Sequence, residues 1–168
     1  MLELKWFDCE VPCNLQIRQV YGVIFTEDGR TLLKVERKPN GKLTYSLAGG
    51  TPEHFDMDRN ATLRRELIEE VNTTINDDIL YVGYQQVSGD NDKPTYAQVR
   101  MVAMIDKIGE KLPDPDNGKI YDRLLTSPDR AIKLLDWGEI GKNIITKAVA
   151  IAEEKFGLKR TCREDEYV

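Results

Sequence analysis

Histidine is nearly missing from this chain: His54 stands alone among 168 residues, and there are only three cysteines. A structural zinc site needs four converging ligands, usually Cys or His. Cys9 and Cys13 are neighbours, but Cys162 and His54 lie far away in sequence, so no such site is expected. An odd cysteine count also fits reduced thiols better than a disulfide framework. No apolar run approaches the roughly 20 residues that span a bilayer, and Met1 to Glu10 has no apolar core of signal-peptide type. A cytoplasmic protein with no membrane partner is therefore expected. Positive charge is in deficit, with 24 Lys plus Arg against 29 Asp plus Glu, a net charge of -5. Binding a nucleic-acid duplex needs a basic footprint that displaces counterions, so that class is not expected. A small anionic substrate remains open, because a bound divalent cation reverses the local sign.

Apolar residues make up 40% of the chain, enough for a core at this length, and no repeat or linker divides it. One domain over residues 1–168 is expected, with a charged tail, Lys159 to Val168, that frays. Ile17 to Thr26 is rich in Val, Ile, Tyr and Phe and precedes Asp28-Gly29. With Thr31 to Glu36 returning, this reads as a hairpin. Leu43 to Ala48 is a short strand that runs into Gly49-Gly50-Thr51-Pro52. Asp58 to Asn72 is helical, and Asp58 or Asn60 can cap it. Ile79 to Val87, Thr95 to Ile105 and Ile120 to Thr126 read as further strands. Ser127-Pro128 opens a short helix ending near Leu135, and Ile140 to Phe156 is an amphipathic helix stopped by Gly157. Strands around one central and two terminal helices indicate an α+β (mixed α/β) domain.

The chemistry lies in Gly49 to Asn72. On a helix, Glu66, Glu69 and Glu70 fall at i, i+3 and i+4, on one arc. Ala61, Leu67, Ile68, Val71 and Ile75 are expected on the opposite, core-facing arc. Arg64 falls among these apolar positions without an evident partner. Neighbouring carboxylates repel by a few tenths of a kcal/mol per pair, and a cation bridging them reverses the sign. Mg²⁺ suits that role because it prefers oxygen ligands and bridges to phosphates, and Mn²⁺ is the natural substitute. Arg65, four residues before Glu69, can pair with it. An Arg/Glu-rich helix face alone is usually just solvated. A Gly-Gly loop leading into it, where backbone can approach a ligand, makes the combination far more specific.

This stretch resembles the Nudix box, G-x5-E-x7-R-E-U-x-E-E-x-G-U with U aliphatic, matched at Gly50, Arg65, Glu66, Leu67, Glu69 and Glu70. The resemblance implies an α/β/α sandwich around a mixed β-sheet. It also implies Mg²⁺ held by Glu66, Glu69 and Glu70 with the Gly50 carbonyl, and Arg65 orienting a glutamate. The implied activity is cleavage of the pyrophosphate bond in a nucleoside diphosphate linked to another moiety. Three departures stand out. The Gly50–Arg65 loop is one residue longer than the pattern. Its first glutamate falls on Asp56, with Glu53 nearby. Asn72 replaces the last glycine, a mild change because Asn tolerates the left-handed conformation.

The general base is Glu66 or a carboxylate between Asp106 and Asp122; the lone loop histidine, His54, reads as solvated. Tyr84 and Gln86, and Tyr96 and Gln98, alternate on strands, so each pair shares a face. They are the candidate contacts to a base, against the plainer reading of half-buried packing residues. The apolar stripe Ile140, Ile144, Ile145, Ala148, Val149, Ala152 and Phe156 serves either the core or a homodimer interface. A Nudix-fold module that senses a nucleotide without hydrolysing it is the alternative function.

Overall fold

The computed structural model describes residues 1–168. Its elements are β1 (Glu3–Phe7), β2 (Gln16–Phe25), β3 (Thr31–Arg37), β4 (Leu43–Ser46), β5 (Ala48–Gly50), α1 (Arg59–Val71), β6 (Thr73–Ile75), β7 (Leu80–Ser88), β8 (Tyr96–Ile108), β9 (Asp122–Thr126), α2 (Pro128–Leu135), α3 (Gly138–Phe156) and β10 (Glu166–Tyr167). The strands form one mixed sheet in the order β1-β7-β8-β2-β3-β9-β10, with β4 added to β3, β5 to β2 and β6 to β8. Only β2 and β8 pair in parallel.

Period-2 alternation sorts side chains to the two faces of this sheet. Val20 and Ile24 of β2 and Val99 and Met101 of β8 join Leu63, Leu67 and Val71 of α1 in one core. Val23, Phe25 and Val102 point the other way and pack on Ile144, Ile145, Ala148 and Ala152 of α3. The result is an α/β/α sandwich, the α+β architecture read from the sequence. The α3 stripe is used inside the chain: Ile144, Ile145, Ala148 and Ala152 are fully buried.

Both short-range helix signals operate as expected. The Asp58 side chain caps α1 by accepting from the Ala61 N–H at 2.8 Å, and Ser127 caps α2 ahead of Pro128. Asn72 ends α1 at φ 44°, ψ 52°, in the left-handed region that the replaced glycine would favour. It is also tied in by its side chain, which donates to the Glu110 carbonyl at 2.9 Å.

Four sequence readings need adjustment. The single strand expected from Leu43 to Ala48 breaks at Leu47: β4 pairs with β3, whereas β5 crosses to pair with β2. Leu47, 1% exposed, turns into the α3-side core at the break. Ile68 is exposed rather than core-facing, because α1 turns the positions Leu63, Glu66, Leu67, Glu70 and Val71 toward the sheet. Arg64, unexplained in sequence, donates to the carbonyls of Ile75, Asn76 and Asp77 and so caps the segment after α1. Finally, the tail expected to fray runs along the sheet edge. There β10 pairs with β9, Arg30 bonds the Glu164 carbonyl and the Glu166 carboxylate, and Arg130 and Thr126 bond Asp165. Arg30 before β3, Thr126 of β9 and Arg130 of α2 are the partners that local composition could not reveal.

Candidate active site

The α1 stripe that faces the sheet follows the i, i+3, i+4, i+7, i+8 spacing of a buried helix face. Two of its five places, however, are glutamates. Glu66 is 7% exposed, and the Glu70 side chain 11%. A carboxylate in such a place costs several kcal/mol unless it is paired, so the partners define the site.

Glu70 is held from two directions. Lys34 of β3 donates to its Oε1 at 2.7 Å, and the Gly49 N–H donates to Oε2 at 3.0 Å. Gly49 has φ 151°, and a Cβ there would lie 2.1 Å from the Val20 carbonyl oxygen. Only glycine lets β5 lie this close to β2 and aim its N–H at the helix. Gly50 stands over Glu66: a Cβ on it would fall 2.5 Å from Glu66 Oε2. The Gly-Gly pair is thus the floor against which both buried carboxylates rest.

Arg65 joins the rest. It donates to Glu66 Oε1 and Glu69 Oε2, both at 3.0 Å, and to the Thr51 carbonyl at 2.8 Å. Its other edge forms a two-point pair with Asp56, Nε to Oδ1 at 3.1 Å and Nη2 to Oδ2 at 3.0 Å. Asp56 also accepts from the Glu53 N–H and the Thr62 hydroxyl, each at 2.9 Å. Asp56, which falls where the box has its first glutamate, therefore anchors the arginine, and Glu53 contributes through its backbone. His54 lies edge-on to Phe55 at the same loop.

The electrostatics follow from this burial. Desolvation raises the Glu66 carboxyl to about 7, against the pull of Arg65 and with help from Glu70 and Glu69. Desolvation likewise raises Glu70, opposed by Lys34. Arg65 hydrogen bonds hold Asp56 well below the usual carboxylate range. Four carboxylates, Asp56, Glu66, Glu69 and Glu70, meet two cations, Arg65 and Lys34. Four minus two leaves two negative charges, which suits one divalent cation. The donors are hard oxygens, the type Mg²⁺ and Mn²⁺ prefer. No three acidic, His or Cys side chains converge on a single point; Glu66 and Glu69 lean to Arg65, and Glu70 to Lys34.

Beside the carboxylates lies a cavity of about 530 Å³ on the α3 side of the sheet, lined by Leu4, Tyr21, Lys34, Ser46, Leu47, Gln85, Gln98, Arg100, Asp136, Trp137 and Ile140. Lys34, which bonds Glu70, also lines this cavity and so links the two. Of the four sequence-selected base contacts, only Gln98 is here. Gln85, its cross-strand partner, takes the place expected for Tyr84 or Gln86. Tyr84 is buried on the other face, stacked on Phe7 at 5.1 Å between ring centres. Gln86 is half-buried opposite Lys5 on β1. Tyr96 bonds Asp90 and lines a separate cleft of about 310 Å³ with Arg18, Gln19, Thr51, Pro52 and Lys93. Lys34, Gln85, Arg100 and Trp137 were not selected from sequence. Lys34 and Arg100 each interrupt an apolar strand (LLKV, QVRMV), the signal that marks a buried polar side chain.

The NUDIX domain family profile matches residues 16–147, a stretch that contains β2 through the first half of α3 and the whole glutamate site. No curated protein matches the chain by sequence. Among solved structures, a NUDIX hydrolase from Nitrosomonas europaea superposes with a TM-score of 0.58 at 19% identity, covering 80% of this chain and 90% of that one. A C. elegans Ap4A hydrolase gives 0.54 at 17% identity, covering 80% and 98%. The Bacillus subtilis pyrophosphohydrolase BsRppH gives 0.52 at 18% identity, with 64% of this chain matched to 63% of that chain, less than two thirds of its length. These similarities show a shared fold. With the profile spanning most of the sequence, the conclusion follows that this chain belongs to the Nudix hydrolase family.

Proposed function

We propose that the chain is a divalent-cation-dependent pyrophosphohydrolase that cleaves the pyrophosphate bond of a nucleoside diphosphate linked to a further group, with Mg²⁺ as the working ion. The supporting observation is the pair of glutamates buried on the sheet-facing stripe of α1 above Gly49-Gly50, in a cluster of four carboxylates that has only Arg65 and Lys34 as counter-charges. Family membership supports the reaction class, since Nudix hydrolases generally use a divalent metal. Glu66, Glu69, Glu70 and the Gly50 carbonyl would hold the ion, which supplies charge neutralisation at the phosphoryl oxygens and acidifies a water molecule.

The protein's own groups do the rest. Arg65, fixed by Asp56 and the Thr51 carbonyl, keeps Glu66 and Glu69 in place. Lys34 stands between Glu70 and the neighbouring cavity, where it can neutralise a substrate phosphate. Glu66 is the better-placed general base. One of its oxygens accepts from Arg65, which leaves the other to take a proton from water. Asp114, the buried carboxylate of the loop before β9, spends its oxygens on the Asp116 N–H and the Asn117 amide. The nucleoside occupies the cavity beside Lys34. No helix is long and apolar enough to cross a membrane.

The test is a panel of nucleoside diphosphate derivatives incubated with protein and Mg²⁺, products being separated chromatographically. A nucleoside monophosphate and its complementary phosphorylated fragment are expected from at least one member. Saturable cation binding without any product would instead identify a nucleotide sensor.

A further inference from the structure

Arg100 on β8 is 3% exposed, and no carboxylate pairs with it. Its Nη1 donates to the Gln98 carbonyl at 3.1 Å and its Nη2 to Gln98 Oε1 at 3.4 Å. Its Nε–H has no partner, the single buried side-chain polar atom of the protein left so. A buried unpaired donor costs about 1–3 kcal/mol, and burial lowers this guanidinium to about 10. The residue nevertheless lines the cavity described above. The guanidinium lies 4.8 Å from the Tyr21 ring centre and 5.8 Å from that of Trp137. Leu4, Leu47 and Ile140 add apolar wall beside the rings, while Lys34, Ser46 and the exposed Asp136 complete the lining. Aromatic and aliphatic walls suit a planar heterocycle rather than a hydrated phosphate. The amides nearby are already oriented: Gln85 Nε2 donates to Gln98 Oε1 at 3.2 Å, and Gln98 Nε2 donates to Gln19. That leaves the Gln85 oxygen to accept.

The floor of the cavity therefore offers a charged donor beside an amide acceptor. We propose that this cavity reads the nucleobase and that Arg100 selects a base with a keto oxygen, a 6-oxopurine or 4-oxopyrimidine, over one with an amine at that position. A keto oxygen would accept from the guanidinium, and the adjacent ring N–H would meet the Gln85 oxygen. An exocyclic amine would instead set N–H against N–H beside a fixed positive charge. The proposal rests on the pyrophosphohydrolase reading for the placement of the nucleoside, and names its base.

Inosine and adenosine monophosphates differ only in this edge, so they are the probes. Both are titrated in EDTA, with quenching of Trp137 fluorescence as the readout and Trp137→Phe as the control for signal origin. Wild-type protein is expected to bind the inosine nucleotide about 10-fold or more tightly. Arg100→Gln should bring the ratio within about 2-fold, because glutamine can serve either base. Equal or tighter binding of the adenosine nucleotide by wild-type protein overturns the proposal, and needs no variant to fold. Quenching by ribose 5-phosphate as strong as that by the inosine nucleotide would also overturn it, showing an anion site. Since neither metal nor turnover is involved, a failed hydrolysis panel with the inosine preference intact would sink the enzymatic reading alone.

Discussion

At the scale of single residues, the site is a charge balance in a partly dry place. Glu70 is bonded to Lys34 and to a backbone N–H, so replacing it by glutamine keeps the shape while removing a charge. If Glu70 holds the proposed cation, Glu70→Gln is expected to lower kcat by about 100-fold or more, since losing a ligand would remove several kcal/mol of transition-state stabilisation. Far-UV circular dichroism should be unchanged. Near wild-type turnover at saturating Mg²⁺ would refute the assignment. Asp56 acts differently, through Arg65. Its folded-state value is depressed, so its stabilisation is complete above the ordinary 3.8 and fades as pH falls through the folded value. Asp56→Asn is therefore expected to cost about 2 kcal/mol at pH 7. Urea unfolding should show the same gap down to roughly pH 5 and a shrinking one below about pH 4.

Secondary elements set where these residues stand, and two of them carry their own tests. β5 is three residues long, yet it presses Gly49 onto β2 and presents the N–H that Glu70 uses. Alanine at Gly49 would put a Cβ into the Val20 carbonyl at a positive φ. A loss of at least about 2 kcal/mol is expected, read as the shift in urea midpoint. The C-terminal segment is the second case. Arg123 is 4% exposed and donates to the Val168 carbonyl at 3.1 Å, as well as to Val71 and Gly109. Deleting residues 163–168 frees that donor and the Arg30 and Arg130 partners. Destabilisation of roughly 2–4 kcal/mol is expected by thermal melt; an unchanged melt would mean the strand is not held. The long periodic elements, β2, β3, β7, β8, α1 and α3, were legible in the sequence, because period and caps are local. β1, β6 and β10 were not: each is short, and each exists through the strand it pairs with.

For the molecule as a whole, the proposed cation binding would be linked to folding. An ion that binds only the folded state adds RT ln(1 + [L]/Kd), about 2.7 kcal/mol at a hundredfold excess over Kd. Mg²⁺ or Mn²⁺ should therefore raise Tm saturably, by several degrees, and the rise should disappear in Glu70→Gln. A linear, unsaturating drift would count against a specific site. By itself the sequence determined the layered α+β class, the helix bearing Glu66, Glu69 and Glu70, its caps, and the glycines before it. All of these rest on spacings within one segment of chain. Tertiary structure decided which way α1 turns, so that two glutamates rather than Ile68 face the sheet. It also decided that Lys34 meets Glu70, that Asp56 anchors Arg65, and that Gln85 and Arg100 rather than Tyr84 and Gln86 line the cavity. Those outcomes depend on strand order, on a register shift between Tyr81 and Gly83, and on contacts between residues far apart in sequence, none of which a local pattern encodes.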